Sequence, residues 1–440
     1  MSHSHDRDIS VAALARVEGE GAMHVRVTDG RVDDVRLEIY EPPRYFEALL
    51  RGRSYLEPPD ITARICGICP VAYQLSAINA IESLAGVEIP DGIRQLRRIL
   101  YCGEWIESHV LHVFLLHAPD FLGYQGAIEM AADHRDLVET ALRLRKAGNT
   151  LLEVIGGRAI HPINVAVGGF HRVPPRAELD ALYDELSWCR DAAEEAVRLV
   201  AGFTFPELDG EHALVALRPE PAHLPPGATG YPIEAGRIVA STGLDIPVEE
   251  WPEHFHEEQV EHSTALHGRM RDVGTYLVGP TARFNLNHDR LPDSTAALAR
   301  DVGLEPPVTN PFRSIVVRAL ETHYAIEEAL RLIAAYIEPD VPAVSVPAVE
   351  GTGHGATEAP RGILYHRYTV TGDGTIADAV IVPPTAQNQP AIEADLVGFV
   401  TEHLHLEDDA LQWQCEQAIR NYDPCISCST HFLDLRVERR

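Results

Sequence analysis

Two Cys-x-x-Cys pairs stand near opposite ends of this 440-residue chain. Cys66 and Cys69 form the first pair, and Cys425 and Cys428 form the second. One such pair alone can be half of a zinc site, a redox pair or a chance occurrence. Local zinc ribbons hold their two pairs about 15–20 residues apart, so here only the tertiary fold could join the pairs into one four-thiolate site. His431 follows the second pair and is a further candidate ligand.

The chain carries a formal net charge of -29 at pH 7. Nucleic acids and anionic membrane surfaces would repel such a protein, so we expect protein or small-molecule partners and no nucleic acid. No apolar run reaches the roughly 18–20 residues needed to span a bilayer, and the polar first residues do not resemble a signal peptide. A cytoplasmic protein without a membrane span is expected, and the Cys-x-x-Cys pairs suit a reducing compartment.

Hydrophobic periodicity and turn residues predict a mainly α fold with small β sheets, an α+β arrangement. Helices are expected over residues 93–116, 134–155, 176–200, 253–278, 311–336, 391–405 and 410–420. Hairpins with Asp-Gly turns are expected over residues 23–39 and 363–382, and a connection over 339–358. The length would allow two or three domains. Composition gives no reason to divide the chain, so one domain over residues 1–440 is predicted.

Both cysteine pairs lie in segments that resemble the signatures of the large, catalytic subunit of nickel–iron hydrogenases. Residues 64–69 read R-x-C-G-x-C, and residues 423–431 read D-P-C-x-x-C-x-x-H. Residues 16–19 and 358–362 match two further family elements, R-x-E-G and E-x-P-R-G. The two cysteine motifs are independent and stand in the expected order, so the resemblance is specific. It extends over almost the whole chain and implies the long-helix core of that subunit type.

The residues after the first pair suggest a subgroup of this family. Many members carry His four positions after the second cysteine, and this chain has Tyr73 there. Sequences that read C-P-V-A-Y-Q, as residues 69–74 do, resemble the cytosolic, multi-subunit hydrogenases linked to NAD(P), of the bidirectional and sulfhydrogenase type.

The resemblance implies a nickel ion bound by all four paired cysteines. Cys69 and Cys428 would also bridge to an iron that carries one carbon monoxide and two cyanides. Residues 46–53 resemble the family segment F-E-x-x-L-x-G-R, whose Glu binds a hard cation. Glu47 would therefore be a magnesium ligand, since a carboxylate oxygen suits that ion. His431 would be a metal ligand at the end of the second motif.

The surroundings of the metals are also implied by the resemblance. Four thiolates and two cyanides leave an excess of negative charge, which a desolvated pocket penalises unless a cation lies nearby. Arg361 would supply that cation, held by Asp120 and Asp423. Pro384 and Thr385 would lie beside the iron, with the Thr385 hydroxyl donating to a cyanide.

The implied reaction is the reversible heterolytic cleavage of dihydrogen into protons and electrons. Cys425 is expected to accept the proton, with Arg361 as the rival base, and Glu18 would relay it outward. The three cysteines outside the pairs are interpreted as small buried apolar residues, which leaves none for a second cluster. Electrons must therefore leave through a small subunit that carries iron–sulfur clusters. Diaphorase subunits that bind flavin and NAD(P) would follow.

Two questions stay open at this stage. Tetrahedral sulfur sites usually hold zinc or iron–sulfur, so a non-catalytic zinc-bound scaffold, or a structural subunit like the quinone-binding subunit of complex I, is the alternative. A structural zinc site needs no Arg, Glu or Asp around it, and all four cysteines are present, which favours the catalytic subunit. The second question concerns residues 432–440. They are expected to be a C-terminal propeptide that a maturation endoprotease removes after His431, and a permanent charged extension is the alternative.

Overall fold

The computed structural model describes residues 7–42 and 44–430 of the chain. The α-helices are α1 Phe46–Leu50, α2 Pro58–Thr62, α3 Pro70–Ala85, α4 Asp91–Val110, α5 Ala118–Leu122, α6 Ala127–Asp133, α7 Arg135–Gly156, α8 Arg176–Asp180, α9 Tyr183–Ala201, α10 Trp251–His254, α11 Pro280–Asn287, α12 Asp293–Asp301, α13 Ser314–Ala335, α14 Pro384–His403, α15 Asp408–Arg420 and α16 Ile426–Ser429. The strands are β1 Arg7–Val11, β2 Gly21–Thr28, β3 Arg31–Ile39, β4 Val165–Ala166, β5 Gly169–Phe170, β6 Ala213–Arg218, β7 Arg237–Ala240, β8 Asp245–Ile246, β9 Phe255–Glu258, β10 His267–Met270, β11 Tyr276–Leu277, β12 Gly351–Ala359, β13 Gly362–Val370 and β14 Ile376–Val382.

Long helices form the centre of the fold. Helix α4 packs against α7 and α13, and α9 packs against α13. Along α4, Ile93, Leu96 and Leu100 are fully buried, and their three- and four-residue spacing places them on one helix face. Helix α4 continues directly into a π-helical segment, Leu111–His117. The prediction of a mainly α fold with small sheets is confirmed. Within the described residues, no helix is both long and apolar enough to cross a bilayer.

Small sheets surround the helical centre. Strands β1, β2 and β3 form one antiparallel sheet, and β12, β13 and β14 form another. A four-stranded sheet has the order β11-β6-β7-β8, in which β6 and β11 are parallel. The pairs β4–β5 and β9–β10 complete the arrangement. Both predicted hairpins are confirmed, but each belongs to a three-stranded sheet.

Two secondary-structure predictions were wrong. Residues 253–278 do not form a helix but α10 and the strands β9, β10 and β11. Gly268 and Gly274 lower the helix propensity of this segment, and antiparallel pairing of β9 with β10 supplies its backbone hydrogen bonds. The segment 339–358, predicted as a connection, contains most of β12, which pairs with β13 along its whole length. Tertiary pairing overrode local propensity in both places.

Helix α3 lies directly on strand β12, and Gly355 allows this close approach. A Cβ atom at Gly355 would lie 2.3 Å from the carbonyl oxygen of Ser76 in α3, a separation that no real Cβ atom adopts. The contact places α3, and therefore Cys69 at its N-terminal cap, relative to the sheet that carries Arg361 in its β12–β13 turn.

We expect Gly355→Ala to lower the thermal unfolding midpoint, because the added methyl group must push α3 away from β12. Overpacking of this kind costs about 1–3 kcal/mol. Gly398→Ala in α14 is the matched control: no heavy atom lies within 4 Å of the added Cβ, and Ala favours a helix over Gly by about 1 kcal/mol. Circular dichroism during heating measures both midpoints, and an unchanged midpoint for Gly355→Ala would contradict the packing argument.

Candidate metal centre

The four paired cysteines converge at one buried place. Sγ of Cys66 lies 3.6 Å from Sγ of Cys425, and Sγ of Cys69 lies 3.8 Å from that of Cys428. The two sulfur atoms of the second pair are 2.9 Å apart. All four sulfur atoms lie within 4.8 Å of one another, and all four residues are buried. The structure therefore joins the two ends of the chain into one four-thiol cluster.

Local backbone geometry orients the first pair. Cys69 is the N-cap of α3, and Pro70 occupies the first helical turn, where its fixed φ angle suits the helix. Sγ of Cys66 accepts hydrogen bonds from the backbone N–H groups of Ile68 and Cys69, at 3.3 and 3.2 Å. The positive end of the α3 dipole and these N–H groups favour negative charge on sulfur.

The thiols cannot all ionise without compensation. Burial raises the pKa of the Cys428 thiol to about 11. Burial also opposes ionisation of Cys66, but hydrogen bonds from the neighbouring thiols, first that of Cys425, lower its pKa. Like charges this close repel strongly, so the cluster as a unit holds protons until cations replace them. Such a donor set fits soft metal ions.

Glu18 contacts the second pair directly. Its carbonyl oxygen accepts from Ile426 N at 2.9 Å, and its Oε2 accepts from Cys425 Sγ at 3.2 Å and from Ser427 N at 3.1 Å. Gly19 makes this approach possible. Its φ angle is +91°, and a Cβ atom there would lie 2.7 Å from the Ile426 Cβ. The half-buried carboxylate of Glu18 thus links the Cys425 thiol to the protein surface.

Arg361 lies in the turn between β12 and β13 and is buried. Its Nε and Nη2 donate to the carbonyl and to Oδ1 of Asp423, at 2.8 and 3.0 Å, and its Nη1 donates to Ser108 Oγ at 3.3 Å. Burial disfavours the guanidinium charge, but Asp423 and then the cysteine sulfurs raise the Arg361 pKa well above its usual value. Asp423 adopts a left-handed φ of 51°, which is uncommon for a residue other than glycine.

The expected pairing of Asp120 with Arg361 is wrong. Asp120 forms ion pairs with Arg16 and with Arg420, whose Nε lies 2.7 Å from Asp120 Oδ2. The π-helical segment and α5 place Asp120 beside the end of α15, and Ser108 takes the position next to Arg361 instead. Asp120 therefore ties the R-x-E-G segment to α15, close to the second cysteine pair.

Helix α14 begins at the cluster. Pro384 is its first residue, and Thr385 Oγ1 accepts a hydrogen bond from Cys425 N at 3.0 Å. Both residues are buried. An accepting hydroxyl still has its hydrogen to donate, so donation to an iron-bound ligand stays a prediction.

Three comparisons with known proteins agree with this geometry. The sequence model of the family described as "Nickel-dependent hydrogenase" matches residues 44–138 and 314–431. The chain is 34% identical over 430 residues to the alpha subunit of sulfhydrogenase 1 of Pyrococcus furiosus, and the match covers 97% of this chain and 98% of that protein. The chain belongs to the nickel-dependent hydrogenase family.

Another relative and two solved hydrogenase structures also match this chain. It is 30% identical to one of the subunits of the F420-non-reducing hydrogenase of Methanothermobacter marburgensis, over 98% of this chain and 96% of that protein. A solved NAD+-reducing [NiFe]-hydrogenase in the H2-reduced state matches with a TM-score of 0.86 and 28% identity, covering 97% of this chain and 99% of that one. The Ni-Fe-Se hydrogenase of Desulfovibrio vulgaris Hildenborough, with a TM-score of 0.79 and 23% identity, shares the fold. The family predicted from the sequence is confirmed.

Glu47 lies beside the cluster, at a small cavity that Ile381, Cys428 and Thr430 also line. Its Oε1 accepts from Ile381 N at 2.7 Å. The role of Glu47 as a magnesium ligand stays a prediction. His431 and residues 432–440 lie outside the described part of the chain.

A buried ion-pair network that supports Arg361 was missed by the sequence analysis. Arg283 donates to Glu321 and Glu358, and also to the carbonyl oxygens of Ala359 and Pro360. Burial opposes ionisation of Glu321, but the guanidinium of Arg283 lowers its pKa to about 2. The network therefore holds the end of β12, from which Arg361 projects. The signal for this network in the sequence was the presence of charged residues within the apolar pattern of α13.

Glu104 was missed as well. It is buried in α4 and accepts from the N–H groups of Val71 and Ala72, at 2.5 and 3.2 Å. Burial raises its pKa well above the usual value. The side chain thus caps the first turn of α3 behind Cys69, and a carboxylate among the buried positions of α4 was the available sequence signal.

We expect Cys66→Ala to remove most of the bound nickel. Loss of a group that only hydrogen-bonds to a ligand already weakens a metal site by about 10–100-fold, and loss of an anionic donor removes more binding energy. Cys189→Ala is the control, since Cys189 is buried in α9 outside the four-cysteine group. Elemental analysis of both purified variants measures nickel and iron per chain. A Cys66→Ala protein with full nickel would show that this thiol is not a ligand.

Proposed function

We propose that this chain is the catalytic subunit of a nickel–iron hydrogenase that reversibly cleaves dihydrogen into protons and electrons. The observation that carries the proposal is the convergence of four buried thiols with the Glu18 carboxylate and the Arg361 guanidinium close by. Relatives over almost the full length are named hydrogenase or sulfhydrogenase subunits. A closed structural zinc site would need neither an acid nor a buried cation beside it.

The donor set fits the implied metals. Four soft sulfur donors in a dry pocket suit a thiolate-rich metal centre. We infer that all four cysteines hold nickel and that Cys69 and Cys428 also hold an iron with one carbon monoxide and two cyanides. When bound, the metals supply Lewis-acid activation of dihydrogen. The protein contributes the compensating positive charge of Arg361, fixed by Asp423, and the hydroxyl of Thr385 beside the cluster.

Proton exit follows the contacts at the second pair. Arg361 remains protonated beside Asp423, so it is a poor proton acceptor. The Cys425 sulfur is the better base, and its thiol points at Glu18 Oε2 across 3.2 Å. Glu18 is half-buried and therefore reaches water. We infer that a proton passes from Cys425 to Glu18 and then to solvent.

Electron exit requires a partner with iron–sulfur clusters. The three remaining cysteines, Cys102, Cys189 and Cys415, belong to no metal-binding group among the described residues. Exposed apolar side chains provide a surface for the partner close to the first pair. Ile160, which is 58% exposed, packs over Gly67, and Tyr45 is 56% exposed.

The final electron acceptor is inferred from a solved relative. The match to a solved NAD+-reducing hydrogenase supports NAD(P) as the final acceptor. We infer that flavin-containing diaphorase subunits carry the electrons to it. All seven cysteines are free thiols, which supports a reducing compartment such as the cytoplasm.

We expect Glu18→Gln to reduce hydrogen uptake by about 10²-fold or more, because an amide keeps the shape of the carboxylate but cannot relay a proton. Nickel and iron content should stay normal. Glu20→Gln, an exposed neighbour, is the control and should retain full uptake. Hydrogen uptake by metal-replete enzyme with an artificial electron acceptor is the measurement. Unchanged uptake in Glu18→Gln would show another proton route, and no uptake by metal-replete wild-type protein would refute the hydrogenase proposal.

We further propose that a maturation endoprotease cuts after His431 and that Glu47 and His431 then hold magnesium. Thr430 is buried and pairs with Ala265, so the chain is anchored immediately before the proposed cut. Intact-mass measurement should show that active enzyme ends at His431, while nickel-starved cells accumulate the form that ends at Arg440. Fully active protein that still ends at Arg440 would exclude processing.

A further inference from the structure

A second group of metal-binding side chains lies apart from the cysteines. His262 and His267 come from the segment around β10, and Glu393 comes from the middle of α14. One ligand atom from each lies within 4.8 Å of the other two. His262 Nε2 is 2.7 Å from Glu393 Oε1. The two imidazole rings meet edge to face, with centroids 5.5 Å apart.

The second observation is that one ring nitrogen of His267 lacks a hydrogen-bond partner. It is 1% exposed, and its Nε2 forms no hydrogen bond with any described residue. A buried polar atom without a hydrogen bond destabilises the fold. In its neutral form an imidazole keeps one ring nitrogen with a free lone pair. That is the form of histidine that binds metal ions.

We propose that His262, His267 and Glu393 form a site for a zinc-like divalent metal ion. Two histidines and one glutamate are a known ligand set for zinc, and a water molecule completes the tetrahedron. Ligand atoms in such a site are about 3.3 Å apart, as follows from zinc bonds of about 2.0–2.1 Å. The three side chains therefore need only small rotations to bind.

The surroundings prepare the site for a cation. Leu37 N donates to Glu393 Oε1 at 2.9 Å, which orients the carboxylate in the way that second contacts orient metal ligands. The side chains of His262 and Glu393 are 18% and 16% exposed, so an ion can enter from solvent. His267 forms the dry inner wall.

The metal would fasten one loop to one helix. The loop 259–266 carries Thr264, whose N–H donates to the Ile39 carbonyl oxygen, and Ala265, which pairs with Thr430. Glu393 lies on α14, which begins beside the cysteine cluster. The site shares no ligand with the cysteines, so metal binding there can be tested separately from the proposed hydrogenase activity.

Cobalt(II) is the probe, since it takes zinc ligands and absorbs visible light when bound. The nickel- and iron-loaded protein, with its partner subunits, is titrated with Co²⁺ and then desalted. We expect one Co²⁺ per chain with ligand-field bands and without thiolate-to-cobalt charge transfer. His267→Gln should abolish this binding, and Glu393→Gln, which still accepts from Leu37 N, should weaken it by at least about 10-fold.

His212→Gln is the matched control. His212 Nε2 also binds a carboxylate of α14, Asp395 Oδ1, at 2.7 Å, but it belongs to no metal-binding group among the described residues. Cobalt binding should be unchanged in this variant. If His267→Gln fails to fold, the partly exposed His262→Gln replaces it with the same expected loss. Equal affinity in the ligand variants and the wild type, thiolate charge transfer, or no binding by the wild type would each overturn the proposal.

Discussion

Buried sulfur charge is the constraint on which the rest of this structure depends. Four thiols lie in a dry pocket within 4.8 Å of one another, and their anionic forms are stable there only beside cations. Two groups of the fold supply positive charge there: the N-terminus of α3 at Cys69 and the buried guanidinium of Arg361. Metal ions would supply the remaining positive charge, so we expect metal loading and formation of the site to be coupled.

The guanidinium of Arg361 must itself be held in place. A buried cation is costly unless every donor finds an acceptor, and here Asp423 and Ser108 receive its hydrogen bonds. Behind it, Arg283 binds Glu321, Glu358 and the backbone of the β12 end. Glu321 belongs to the long helix α13, so the helical centre supports the segment that carries this positive charge.

Local patterns predicted some elements well and others badly. The expected helix over residues 134–155 corresponds to α7, Arg135–Gly156, because its apolar positions recur with helical period over six turns. The expected helix over 253–278 failed, since its residues find hydrogen-bond partners in strands β9 to β11. Most of strand β12 was predicted as a connection because its glycines, which let α3 approach, are typical of loops.

The sequence by itself determined which ligands are available and in what order. The cysteine motifs, Glu18, Arg361 and Thr385 were identified from short segments, since each motif is local in the chain. Only the tertiary structure decided which groups meet. Cys66 and Cys425 are 359 positions apart, Asp120 pairs with Arg420 rather than Arg361, and His267 approaches Glu393 only through the β10–α14 packing. Contacts between distant segments depend on the packing of whole elements, and no local spacing encodes them.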